Sequence, residues 1–359
     1  MPEYHISRIR FTDQRALKEL DTLLEQEGIE RDKNLDYTVG LYDEDYHLAA
    51  SGSCFLNTLR CLAVDSKHQG EGLLNQVISH LIDVQIHRNR RDLFLYTKCN
   101  TAGFFSDLGF YEIARVDGQV VFMENRRTGF ADYLAHLQAE SAAAIAALSK
   151  LPTHPSSVGA VILNANPFTL GHQYLLETAA AACDLLHVFV VSEDVSLFPF
   201  SVRSQLVEKG SAHLKNVLYH QTGNYMISNA TFPSYFLKDS DIVIRSHAKL
   251  DIEVFKQIAR SLGITDRFIG EEPFSQVTGI YNQVMEEELA QGPIRCHILP
   301  RKADASGVIS ASRVREWIHL GQWDFLQSVV PESTYHYLTS PEASDVIKRI
   351  QESKDLVHY

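Results

Sequence analysis

The sequence predicts an α/β protein in two parts: a compact α+β unit, then a parallel sheet with helices on both faces. Three observations carry this. Residues 37–122 are dominated by short β-rich runs; from residue 158 onward apolar runs alternate with amphipathic helical segments; between them, residues 129–151 are alanine-rich and proline-free up to Pro152. Regular β–α alternation favours a parallel sheet whose ligand lies beyond the carboxyl ends of its strands.

Taken in order, residues 37–42 and 47–54 flank the turn-forming Asp43-Glu44-Asp45 and read as paired strands, with a third strand over 59–64. Residues 72–87 place Leu73, Leu74, Val77, Ile78, Leu81, Ile82 and Val84 on one helical stripe, and 93–97 and 110–114 read as further strands. The segment 129–151 is expected to be a connecting helix that stops at the prolines 152 and 155. The expected boundaries are therefore 1–128, 129–151 and 152–359, the last with a C-terminal helical tail. Within it, residues 158–163, 186–191, 217–219, 241–245 and 294–299 are the candidate strands.

A chain of 359 residues, 45% hydrophobic and 22% charged, can bury a sizeable core, which argues against a disordered or fibrous protein. Its net charge of −12 disfavours a nucleic-acid binder with a broad basic surface. The first residues include Glu3, Arg8 and Arg10 without an apolar core of roughly 7–15 residues, so no secretory signal is expected. No stretch approaches the roughly 20 apolar residues of a membrane-spanning helix. The five cysteines are scattered and never form a CxxC pair, which fits a reducing cytoplasm, the expected location. The sixteen histidines show no HExxH or Cys/His ligand spacing, so no protein-held metal is expected.

The chemistry is expected in residues 159–172. An apolar strand runs into Asn164-Ala165-Asn166-Pro167-Phe168-Thr169, and Gly171 and His172 then open a helix. Free backbone N–H groups at a helix start hold anions, and His172 can donate a hydrogen bond where charge develops on a phosphate. This segment resembles the T-x-G-H signature of the nucleotidyltransferase superfamily, matched by Thr169, Gly171 and His172. Later, Ile309-Ser310-Ala311-Ser312-Arg313-Val314-Arg315 resembles that superfamily's I-S-S-T-x-x-R signature, with Ala311 and Ser312 at the second Ser and the Thr. Hydroxyls and N–H groups at a helix start would meet phosphate oxygens while Arg315 neutralises them. Between the two, Arg203 reads equally as an anion ligand or as a solvated helix start. Glu271 and Glu272 read as a surface turn or as organisers of magnesium or substrate. Arg245 and His247 are left without a role.

The first part carries its own signature. Gln69-Gly70-Glu71-Gly72-Leu73-Leu74 resembles the Q/R-x-x-G-x-G/A diphosphate-binding turn of GNAT acetyltransferases, with Leu74 at the final small position, and residues 100–110 resemble a later segment of that family. Phe105 stands where many members carry a tyrosine acid, and phenylalanine has no proton to give. The resemblance implies a GNAT-like α+β domain followed by a Rossmann-like parallel-sheet nucleotidyltransferase domain.

A GNAT-like half joined to a T-x-G-H half resembles, over almost the full length, the citrate lyase ligase family. The resemblance implies ATP-dependent, AMP-forming acetylation of the acyl carrier protein of citrate lyase. Acetate and ATP would give acetyl-adenylate and pyrophosphate; the thiol of the carrier's dephospho-CoA-derived prosthetic group would then take the acetyl group. By that resemblance His172, Thr169 and Arg315 are the catalytic candidates. Asn166, Phe168, Gly171, Ser310 and Ser312 would hold the nucleotide, with Mg2+ bridging its phosphates. Gln69, Gly70 and Gly72 would receive the prosthetic group. Arg88, Arg90 and Arg91 could form a basic docking patch or simply a solvated helix end. The same two motifs would serve an adenylyltransferase acting on a phosphorylated cofactor precursor, and a non-catalytic nucleotide or coenzyme A sensor is the third alternative.

Overall fold

The computed structural model describes residues 3–147, 155–226, 240–271, 276–304 and 307–353. Cα packing divides the chain into two units, Met1–Asp132 with Thr231–Glu253, and Tyr133–Ala230 with Val254–Tyr359. This differs from the linear division read from the sequence, because residues 240–253 group with the first unit. There Ser246 donates to the Gln119 side chain, 2.5 Å away.

The first unit is a seven-stranded sheet. Its strands are β1 (His5–Arg8), β2 (Tyr37–Tyr42), β3 (Leu48–Phe55), β4 (Thr58–Val64), β5 (Phe94–Thr97), β6 (Tyr111–Val116) and β7 (Val120–Glu124), in the order β1-β2-β3-β4-β5-β7-β6. The helices are α1 (Gln14–Gln26), α2 (Leu73–His87) and α3 (Ala102–Asp107). Helix α1 begins at Asp13, whose side chain accepts from the Ala16 N–H, and buries Leu17, Leu20, Leu23 and Leu24. Helix α2 lies on β3 where Gly52 leaves room: a Cβ there would collide with Val77 and Leu81. Every pairing is antiparallel except β4 with β5, which are in register only at Thr58↔Phe94 and Leu59↔Leu95. Beyond those pairs the ladder stops, and the Gly70–Gly72 turn follows the end of β4.

The second unit holds an all-parallel sheet of β8 (Val158–Leu163), β9 (Leu185–Val190), β10 (Val217–Gln221), β11 (Asp266–Gly270) and β12 (Arg295–Leu299), in the order β10-β9-β8-β11-β12. Central β8 and β9 are apolar almost throughout and nearly wholly buried, as a sheet covered on both faces requires. Around it run α4 (Gly129–Ala147), α5 (Leu170–Ala181), α6 (Phe200–Gly210), α7 (Ser240–Leu262), α8 (Gln276–Leu289), α9 (Ala311–His319), α10 (Glu332–Leu338) and α11 (Ser344–Glu352). The order is Rossmann-like, and its direction reverses between β8 and β11.

Two sequence expectations need correction. Residues 241–245, read as a strand from their β-branched run, begin α7: Ala248, Ile252, Phe255 and Ala259 continue at helical spacing and are buried. The fourth strand is instead β11, whose charged Asp266 and Arg267 hid its β character. Both are buried, and Asp266 accepts from Arg295, His297 and Thr265. The connecting helix is described to residue 147, and its expected end at 148–154 lies outside the described residues.

Candidate active site

The loop between β8 and α5 sits at the carboxyl end of the central strand, beside the point where strand order reverses. Ala165 takes φ +52°, a left-handed conformation uncommon for a side-chain-bearing residue, and the Asn166–Pro167 peptide is cis. Thr169 then caps α5: its hydroxyl accepts from the His172 N–H at 3.4 Å, and its own N–H donates to His172 Nδ1 at 3.1 Å. Because Nδ1 accepts, the proton of the neutral ring sits on Nε2. Burial, then the charges of Arg301 and Arg315, push the imidazole down to about 4. At neutral pH His172 is therefore an uncharged donor through Nε2. Its ring stacks on Phe168, with centroids 5.8 Å apart and planes at 15°.

The second motif meets the first directly. Ser310 caps α9 by accepting from the Arg313 N–H, and its hydroxyl lies 3.1 Å from that of Ser312. Arg315 is buried and donates to the Asn166 carbonyl at 2.5 Å. Gly171 explains the approach: a Cβ there would stand 2.9 Å from the Ile309 carbonyl oxygen. Thus the glycine admits the backbone of the second motif. Asn166 is itself buried, with Oδ1 accepting from the Phe198 N–H and Nδ2 without a hydrogen-bond partner.

The structure places the other expected residues as follows. The side chain of Phe168, expected to hold nucleotide, is fully buried beneath His172 and against Gly210. Thr169 is buried too, and its hydroxyl serves His172. Arg203 resolves to a scaffold role: Nε, Nη1 and Nη2 donate to the carbonyls of Phe198, Asn164, Val191 and Glu193, tying the loops after β8 and β9 together. Burial lowers its pKa to about 10, still well above neutral pH. Arg245 and His247 lie on α7, in the segment grouped with the first unit. Glu272 lies outside the described residues. The cation that sequence reading missed is Arg301, just beyond β12; its signal was a basic residue directly after an apolar run.

In the first unit, Gln69, Gly70 and Gly72 line a cavity of about 660 Å³, together with Leu74, Lys98 and Phe105. Gly70 and Gly72 adopt φ of +85° and +76°, and a Cβ on either would meet nothing within 4 Å. The turn is therefore glycine for its conformation, with open space above it. Of the suggested basic patch, Arg88 and Arg90 both pair with the single carboxylate of Asp36, at 2.6 and 3.4 Å. Cys54 and Cys61 are buried, and burial pushes both thiols up to about 12, far from a nucleophilic thiolate at neutral pH.

Residues 158–338, from β8 to the end of α10, match the family described as citrate lyase ligase C-terminal domain. The chain belongs to the citrate lyase ligase family. It is 36% identical over 333 residues to the [Citrate [pro-3S]-lyase] ligase of Haemophilus influenzae, covering 91% of this chain and 96% of that one. The ligases of the same name from Klebsiella pneumoniae and Escherichia coli are 36% and 35% identical, over 93% and 92% of this chain and 96% and 93% of theirs. A Staphylococcus aureus GNAT-family acetyltransferase structure is 14% identical, with a TM-score of 0.30, covering 34% of this chain and 98% of that one. This family membership makes the chain a ligase. No helix among the described residues is long and apolar enough to cross a membrane.

Proposed function

We propose that the chain is an AMP-forming acid–thiol ligase that activates citrate lyase by acetylating the thiol prosthetic group of its acyl carrier protein. One observation carries this reading: in a ligase of this family, Gly171 and Arg315 join the T-x-G-H turn to the Ser310 helix start at the carboxyl end of β8. That junction suits adenylate formation, which needs charge neutralisation and positioning more than a protein nucleophile. An acetate oxygen would bond to the α-phosphorus of ATP while the bond to pyrophosphate breaks. His172, neutral and donating through Nε2, would hydrogen-bond the α-phosphoryl oxygens as their charge grows. Arg315 and the N–H groups around Ser310 and Ser312 would hold the departing pyrophosphate. The carrier's thiol would then displace AMP from acetyl-adenylate, its prosthetic group received at Gln69, Gly70 and Gly72.

Magnesium has no ready protein cage here. Among the described residues no three His, Cys, Asp or Glu side chains gather to hold an ion. It would reach the site on the phosphates and offset their charge.

The test is ATP–pyrophosphate exchange without carrier. Acetate-dependent exchange, followed by AMP release when carrier is added, is the expected result. Exchange driven by a phosphorylated cofactor precursor in place of acetate would refute the ligase reading in favour of an adenylyltransferase.

A further inference from the structure

One more cation stands at the same end of the parallel sheet. Arg301 follows β12, and its Nε donates to the Glu271 carbonyl, 2.5 Å away, at the end of β11. The Glu271 N–H in turn donates to the Leu299 carbonyl at 2.8 Å, so the ends of β11 and β12 are tied beside the guanidinium. Strand β11 neighbours β8, and between these two lies the reversal of strand order where ligands of such sheets settle. The next residue, Lys302, accepts through its carbonyl from the Ile309 N–H at 3.0 Å. The Ile309 carbonyl is the atom that packs against Gly171. A short run of backbone contacts thus links Arg301 to the turn that carries His172. The charge of Arg301 also reaches that ring, ranking after burial and ahead of Arg315 among the influences that depress the imidazole.

We infer that Arg301 is a phosphate-facing cation of this site, set on the β11 side of the crevice whose β8 side is lined by the Thr169–His172 turn, and that its ligand is the departing diphosphate of a nucleoside triphosphate. The inference deepens the proposed function and rests on it. As the acetate oxygen bonds to the α-phosphorus, the bond between that phosphorus and the bridging oxygen breaks. Its electron pair leaves on pyrophosphate, and Arg301 offsets the charge that accumulates there. Arg315 already spends one donor on the Asn166 carbonyl, which makes a further cation useful for a leaving group of such high charge.

The test compares Arg301→Gln and Arg301→Lys with the parent in three measurements on the full chain. These are calorimetric titration with inorganic pyrophosphate, ATP–pyrophosphate exchange, and NMR titration of His172 without ligand. Arg301→Gln is expected to weaken pyrophosphate binding by about tenfold or more and to shift protonation of His172 to higher pH. Arg301→Lys, which keeps the charge and loses the fork, is expected to recover part of the binding and to leave the His172 titration near the parent's. Should the Gln variant fail to fold, a Lys variant with pyrophosphate affinity below the parent's supports the inference, and one with equal affinity overturns it. An Arg301 that only braced Glu271 would leave pyrophosphate affinity unmoved in the Gln variant, which also overturns it. Arg301-dependent pyrophosphate binding in a parent that shows no acetate-dependent exchange would sustain this site and refute the acetyl-adenylate reading instead. A parent that binds no pyrophosphate refutes the diphosphate site.

Discussion

At the residue scale, His172 is held in one tautomer by a backbone donor and kept uncharged by its surroundings. Since its ring gains a proton only near pH 4, exchange activity should stay flat from pH 8 down to about 5, where an exposed histidine would already have titrated. An acid limb centred near 6.5 that belongs to His172, identified by its loss in a His172 variant, would contradict the neutral-donor role. The same depression has a stability consequence. The folded chain takes up this proton less readily than the unfolded chain, whose histidine has a pKa of about 6.5. The contribution is therefore complete above about 6.5 and is lost as pH falls towards 4, which urea unfolding at stepped pH would register. Replacing the ring by His172→Ala should lower turnover by a factor on the order of 100 while changing ATP binding less. Near-normal turnover in the folded variant would remove it from the chemistry.

At the scale of elements, the joint between α5 and the start of α9 depends on a missing side chain. Gly171→Ala would press a methyl group to 2.9 Å from the Ile309 carbonyl, and neither backbone can yield without moving a helix cap. We expect a loss of about 1–3 kcal/mol in thermal or urea unfolding, together with a larger loss of exchange activity than of ATP binding; unchanged stability and activity would show that the two caps tolerate separation. The motifs themselves were legible, because Thr169, Gly171, His172, Ser310 and Arg315 stand at helix starts after apolar runs. What was not legible was their division of labour. Thr169 read as a catalytic residue and Phe168 as a nucleotide contact, and nothing local showed that both side chains are buried around the imidazole, since burial depends on neighbours such as Gly210 and Thr334 far along the chain. Strand β11 was missed for a related reason: Asp266 and Arg267 look solvent-bound until partners from β12 and α7 surround them. Local pattern carries caps and strands well, and long-range satisfaction of charge poorly.

At the scale of the whole molecule, the two signatures fall in two separately packed units, one at a cavity beside the Gly70–Gly72 turn and one at the end of β8. The Gly70–Gly72 turn was readable because its glycines take left-handed conformations, and a cavity stands above it. Phe105 lines that pocket and is itself largely buried, and its side chain has no proton to give. This favours a receiving pocket over an acetyltransferase centre. Gln69→Ala should accordingly raise the carrier concentration needed for half-maximal acetyl transfer several-fold or more, measured at saturating ATP and acetate. Unchanged carrier dependence would remove the first unit from the proposed mechanism.

The bond from Arg315 to the Asn166 carbonyl spans 149 residues of sequence. A ribosome delivers the Thr169 turn long before the helix that completes it, so the nascent protein passes through a stage in which the strands exist and the junction of the two motifs does not. Late closure of so distant a contact also makes assembly of the site a slow step relative to local helix formation. Competence to activate citrate lyase would thus wait until the start of α9 has been made.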